Sequence, residues 1–177
     1  MERYRHREEL EFVHQVFNSL PERIKELLKG THFIIGYRPD FLGLHFDDPD
    51  FYSQRAHCGY DFNQVHFPTS ARRTTLVFPS KLIFCSVTVL HELGHALHWE
   101  LVQKERGNRW EYLYDLPLVL PLTAYAETNN LEAFATAFQA WTTECLEKPI
   151  WGYTTKTDLL EYDPATYHFF EKLKRGE

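Results

Sequence analysis

The chain has 177 residues, 44% of them hydrophobic and 25% charged, which is enough for one packed domain spanning 1–177 and short for two. Nineteen Lys and Arg against 25 Asp and Glu leave a net charge of -6, which argues against a nucleic-acid partner bound by neutralising phosphates. An aromatic content of 16% excludes a disordered chain and suits a dense core.

The opening Met1 to Leu10 is charged where an export signal needs an apolar run. The longest apolar-rich stretch, Leu82 to Leu90, is far below the roughly 20 residues of a spanning helix. The expectation is no membrane partner and no export signal, with a cytoplasmic location favoured. Leu10, Val13 and Phe17, with Phe12 and Val16, recur at helical spacing among charges and predict an amphipathic helix over the core. Ser19-Leu20-Pro21-Glu22 has the form of a capping box, and Gly30 closes the short helix that follows it. His32 to Tyr37 and Thr74 to Phe78 are β-branched or aromatic runs that predict strands.

Between them, Arg38 to Arg73 holds Pro39, Gly43, Pro49, Gly59 and Pro68, so loops are expected there, with irregular strands around Tyr60 to Phe67. Asp47, Asp48 and Asp50 lack the Gly turn and terminal Glu of a calcium loop and read as a solvated acidic turn. Cys58, Cys85 and Cys145 are odd in number and widely spaced, which suits reduced structural cysteines. From Ser86 to about Lys104, Leu90, Leu93, Leu97 and Leu101 recur every three or four residues, a strong helix pattern. A third helix is expected from about Asn129 to Leu146, with Leu131, Phe134, Ala135, Phe138, Trp141 and Cys145 on one face and Thr128 as cap. A terminal helix is expected around Pro164 to Leu173.

The residues that carry chemistry lie on the two central helices. His91-Glu92-Leu93-Gly94-His95 is an H-E-x-x-H string inside the strongest helical pattern. At about 100° per residue, His91 and His95 project from one side on successive turns. Both imidazoles can then reach one tetrahedral zinc, with Glu92 beside the open position. With 10 His and 17 Glu in the chain, about 0.05 chance matches to the bare string are expected, so its helical context decides. The plain alternative is a helix whose histidines are packed or solvent-facing. His98 stands about 10 Å along the helix axis from His91 and reads as a neighbour of the site.

A hydrolytic zinc needs a third protein ligand and an open position for water. Glu132 is the candidate, a carboxylate beside the apolar face of the later helix, where an unpaired charge is costly. Its plain alternative is a partly exposed carboxylate paired with a Lys or Arg. Glu127 and Glu144 lie nearer the helix ends among polar neighbours.

Tyr125 to Ala135, read as Tyr-Ala-Glu-Thr-Asn-Asn-Leu-Glu-Ala-Phe-Ala, resembles the second motif of the anthrax lethal factor-like zinc peptidases, Y-A-x-T-N-x-x-E-x-F-A. That family combines it with a helical H-E-x-x-H, and its Pro-Pro endopeptidase relatives use a similar gluzincin plan. The resemblance bears on the stretch from Thr74 to Leu146 and says little about residues 1–70. It implies an α+β, zincin-like catalytic domain of the gluzincin type, with a small sheet packed on the active-site helix and further helices around it. It also implies one catalytic zinc held by His91, His95 and Glu132, Glu92 as general base, and Tyr125 as donor to the oxyanion.

From the residues alone Tyr125 would read as a core or interface tyrosine. The family usually has an acid four positions after the glutamate ligand, to orient a zinc histidine, and here that place holds Thr136. The implied activity is zinc-dependent endoproteolysis of a protein or peptide substrate, lying along Thr74 to Phe78 or Tyr60 to Phe67. Two other readings stand beside it. In one, His91 to His95 with the later Glu132-Ala133-Phe134-Ala135 is similar to the ImmA/IrrE-type regulatory metallopeptidases, which implies action on an intracellular repressor. The other is a catalytically inactive, zinc-stabilised module that binds a protein partner.

Overall fold

The computed structural model describes residues 7–29, 31–35, 57–59, 75–78, 86–102, 104–106, 109–111, 117–124, 126–143 and 155–177. Six helices lie among them: α1 (Arg7–Asn18), α2 (Glu22–Leu27), α3 (Ser86–Val102), α4 (Asn130–Thr142), α5 (Lys156–Tyr162) and α6 (Pro164–Arg175). The strands are short: β1 (His32–Ile35), β2 (His57–Gly59), β3 (Thr75–Phe78), β4 (Lys104–Arg106) and β5 (Arg109–Glu111). β3 runs parallel to β1 and antiparallel to β2, and β4 pairs with β5.

The expected α+β, zincin-like class with a small sheet packed on the active-site helix is overturned by where the described mass and the core lie. The described residues are predominantly helical, and every described core side chain comes from a helix or from a residue adjoining one. The strands are short backbone pairings of three or four residues each. Among the residues whose burial is described, apolar side chains are buried by helix against helix, and β propensity in short runs does not set how much of a chain becomes helical. The expected strands around Tyr60 to Phe67, the acidic turn at Asp47 to Asp50, and Cys85 and Cys145 lie outside the described residues.

α4 is central to the body. Nine consecutive residues, Ala133 to Trp141, are buried, so no face of this stretch is left to solvent. Its aromatic side chains meet the C-terminal helix, with Phe170 centred 5.3 Å from Phe134, 5.7 Å from Phe138 and 5.3 Å from Trp141. α3 contributes Val89, Leu90, Leu93, Ala96, Leu97 and Leu101 to the same core. α1 and α2 close it with Val13, Val16, Leu20, Ile24 and Leu28. Leu10, expected on the inner face of α1, is 36% exposed, and the buried line runs through Val13 and Val16 instead.

Local chemistry sets several helix ends differently from expectation. Ser19 Oγ donates to the Val16 carbonyl at 2.7 Å and so finishes α1, while α2 starts after Pro21 with no side-chain cap. Asn129 caps α4, its Oδ1 accepting the Leu131 and Glu132 amides at 3.0 Å each. α5 was not expected; Thr155 and Asp158 form a reciprocal capping box at its start. α6 opens with Asp163 as cap and Pro164 in its first turn, and closes on Gly176 at φ 79, a left-handed position that glycine occupies without strain.

α5 is also tied across the bundle. Lys156 Nζ and Trp141 Nε1 each donate to Glu171 Oε1 at 2.9 Å. Among the described residues no helix is long and apolar enough to cross a membrane. Since Phe170 is fully buried among three α4 aromatics, Phe170→Ala should cost about 3–5 kcal/mol. Urea titration followed by far-UV circular dichroism measures it.

Candidate metal centre

The centre forms where α3 and α4 come closest. A Cβ added to Gly94 would stand 2.8 Å from Ala135 Cα and 3.0 Å from its carbonyl oxygen. The two backbones therefore touch at a place that tolerates no side chain on α3. Gly94 lies between the two histidines, and Ala135 follows Glu132 by three residues. The contact thus places the first turn of α4 against the imidazole-bearing side of α3.

There the sequence-derived candidates His91, His95 and Glu132 come together. His91 Nε2 lies 3.0 Å from Glu132 Oε2, and His95 Nε2 lies 3.4 Å from the same oxygen. The two imidazole rings stand edge to face, with centroids 4.8 Å apart. One donor atom from each of the three residues falls within 4.8 Å of the others. Two imidazole nitrogens and a carboxylate oxygen suit a divalent metal such as zinc, whose tetrahedral ligands stand about 3.3 Å apart at bond lengths near 2.0–2.1 Å. All three residues are largely but not wholly covered, with side-chain exposures of 11%, 12% and 19%.

The two carboxylates of the centre are tuned in opposite directions. Burial resists ionisation of Glu132, but hydrogen bonds from His91 and His95, and their charge, overcome it and hold the group far below the usual carboxylate range. Glu92 is buried, and desolvation pushes its carboxyl up, offset in part by His95 and His91 and assisted by the charge on Glu132. His98 is lowered to about 4, by burial first and then by the charge on His95. Its ring packs edge-on against Phe134 at 5.0 Å, and it lies outside the three-residue donor group.

Thr136, four residues after Glu132, is buried at 3% exposure and adds no charge to the centre. Glu127 sits exposed on a short 3-10 turn, Ala126–Thr128. Tyr125 and Glu144 lie outside the described residues. Two features of the centre went unread in sequence: the Gly94 contact, and Asn129 rather than Thr128 as the cap. The signal for the first was a glycine inside a strongly helical pattern, Gly94, a residue that marks close backbone approach. No known protein family, curated protein or solved structure matches the chain.

Two outcomes are expected here. Gly94→Ala forces α4 outward and should cost about 1–3 kcal/mol of stability, together with metal affinity measured by chelator competition. Glu92→Gln should raise the melting temperature of metal-free protein at neutral pH. A carboxyl raised on folding stabilises below its unfolded value, and that contribution is lost as the pH rises. The advantage of Gln should therefore vanish on titrating to below pH 4.5.

Proposed function

We propose that the chain is a zinc-dependent endopeptidase that hydrolyses peptide bonds of a protein or peptide substrate. The observation that carries this reading is the convergence of His91, His95 and Glu132 donor atoms within 4.8 Å, with the buried carboxyl of Glu92 on the same turn of α3 as His91. A structural metal site has no use for a buried, proton-avid carboxyl at its edge; hydrolysis does.

When bound, zinc supplies Lewis acidity, activating water near neutral pH and polarising the scissile carbonyl. The roles of the chain's own residues follow from their environments. Glu132 is held ionised by the two imidazoles in the metal-free centre and is therefore ready to serve as an anionic ligand. Glu92 accepts the proton of the attacking water and returns it to the leaving amine, a task suited to a carboxyl raised toward neutrality. Tyr125, assigned through the Y-A-x-T-N-x-x-E-x-F-A resemblance, donates to the oxyanion. The acidic balance of the chain, with a net charge of -6, supports a protein rather than a nucleic-acid substrate.

Elemental analysis of wild type and Glu132→Ala, with peptide-library cleavage by wild type and Glu92→Ala, tests this reading. About one zinc per chain is expected, reduced in Glu132→Ala. Cleavage should fall by about 10²–10⁴-fold in Glu92→Ala while metal content is retained. A wild-type chain that binds no divalent metal overturns the proposal, and metal binding without Glu92-dependent cleavage replaces it with a zinc-stabilised binding module.

A further inference from the structure

Among the described residues, Glu92 and Asp163 are the two carboxylates that are buried. Glu92 belongs to the candidate centre; Asp163, 2% exposed, stands at the junction of α5 and α6. Its two oxygens serve different partners. Oδ1 accepts the Thr166 amide at 3.1 Å and caps α6. Oδ2 accepts the Leu120 amide at 3.0 Å, from 43 residues earlier in the chain. A cap alone needs one oxygen, which Ser or Asn supplies as well without burying a charge. The feature that requires a carboxylate is the second bond.

Leu120 lies in the non-helical segment 117–122, where Pro117 and Pro121 fix their own φ and offer no amide. Val119 and Leu122 pack against the core. From this anchored point a short series of bonds leads to Glu132. Thr123 Oγ1 accepts the Ala126 amide at 3.1 Å, and the Thr123 carbonyl accepts the Glu127 amide at 3.2 Å. Ala126 is buried. Asn129 Oδ1 then accepts the Leu131 and Glu132 amides. Glu132 sits in the first turn of α4, three residues before the Gly94 contact with Ala135 begins to hold the helix. That first turn therefore depends on what precedes it.

We propose that Asp163 is a positioning residue of the candidate metal centre: by holding the Leu120 amide it fixes the segment leading into α4 and, with it, the turn that presents Glu132. The role rests on the reading of His91, His95 and Glu132 as metal ligands, and its test separates the two ideas. Asp163→Ser keeps a hydroxyl to cap α6 but has no second acceptor for Leu120.

Amide hydrogen exchange by NMR on wild type and Asp163→Ser follows the tether, and competition of the full chain with a chromophoric chelator for Zn2+ follows the centre. Exchange should accelerate at Leu120, Ala126, Glu127 and Glu132 while the Thr166 amide stays protected. Zinc affinity should fall about tenfold with unchanged stoichiometry, the low end of the loss seen when outer supports of metal ligands are removed. Release of Leu120 with Glu132 exchange unchanged, or with zinc affinity within about twofold of wild type, overturns the proposal; a lowered melting temperature alone counts as that outcome. If wild type binds no zinc, the metal reading fails, and the exchange pattern alone decides whether the tether reaches Glu132. If Asp163→Ser does not fold, Asp163→Asn, isosteric but with a single acceptor oxygen, is read the same way.

Discussion

The candidate centre depends on a backbone contact, that of Gly94 with Ala135. Ligand side chains on two helices meet only if the helix axes approach closely enough for short side chains to span the gap. Here the glycine lies three residues after His91 and one before His95, so the place of closest approach and the ligand-bearing side of α3 coincide. On the opposing helix the residue met is Ala135, whose methyl side chain leaves its backbone open to that approach. A methyl at position 94 would meet backbone, not a side chain able to rotate away, so the constraint allows no local relief. The spacing of Glu132 from both imidazoles is thus a consequence of packing, and the Asn129 cap holds the turn on which that glutamate stands.

The same packing separates the properties of two carboxylates. Glu132 faces both imidazoles and is held ionised; Glu92, on the turn of His91, is covered and pushed toward its neutral form. A carboxylate that ligates a metal does so in its ionised form, whereas a group that moves a proton has to be able to keep one. Environments that drive neighbouring titratable groups apart are how a folded chain assigns such roles. The cost is stability: a buried carboxyl favours folding only while it is protonated, and Glu92 therefore opposes folding at neutral pH.

Legibility in the sequence followed the length scale of each interaction. His91, Glu92 and His95 could be placed on one helix because their spacing and the leucine pattern around them are local and periodic. Glu132 could be singled out as a carboxylate among Leu131, Ala133 and Phe134, since an unpaired charge there is costly. Cap identities were less legible, because Thr128 and Asn129 are both competent and backbone geometry alone chooses between them; likewise Ser19 ends α1 instead of starting α2. The α+β expectation failed at a longer range. His32 to Ile35 and Thr75 to Phe78 do pair, but local propensity does not tell how far helices will outweigh such short strands in the folded body. α5 is too short, at seven residues, to show a helical period in sequence; its capping box and the reach of Lys156 to Glu171 hold it.

The C-terminal helices matter to the centre through α4. Phe170 packs on Phe134, Phe138 and Trp141, Glu171 accepts from Trp141 and Lys156, and Asp163 grips the segment leading into the helix. α4 carries costs in return: Gln139 is fully buried with neither amide atom bonded among the described residues, and such groups cost about 1–3 kcal/mol. The aromatic burial around Phe170 offsets them. A pair of helices bearing the histidines and the glutamate would contain every candidate ligand and still lack the Phe170 packing and the Asp163 bond that brace α4 and the segment before it. The centre is therefore a property of the α3–α4 pair as braced by residues 155–177.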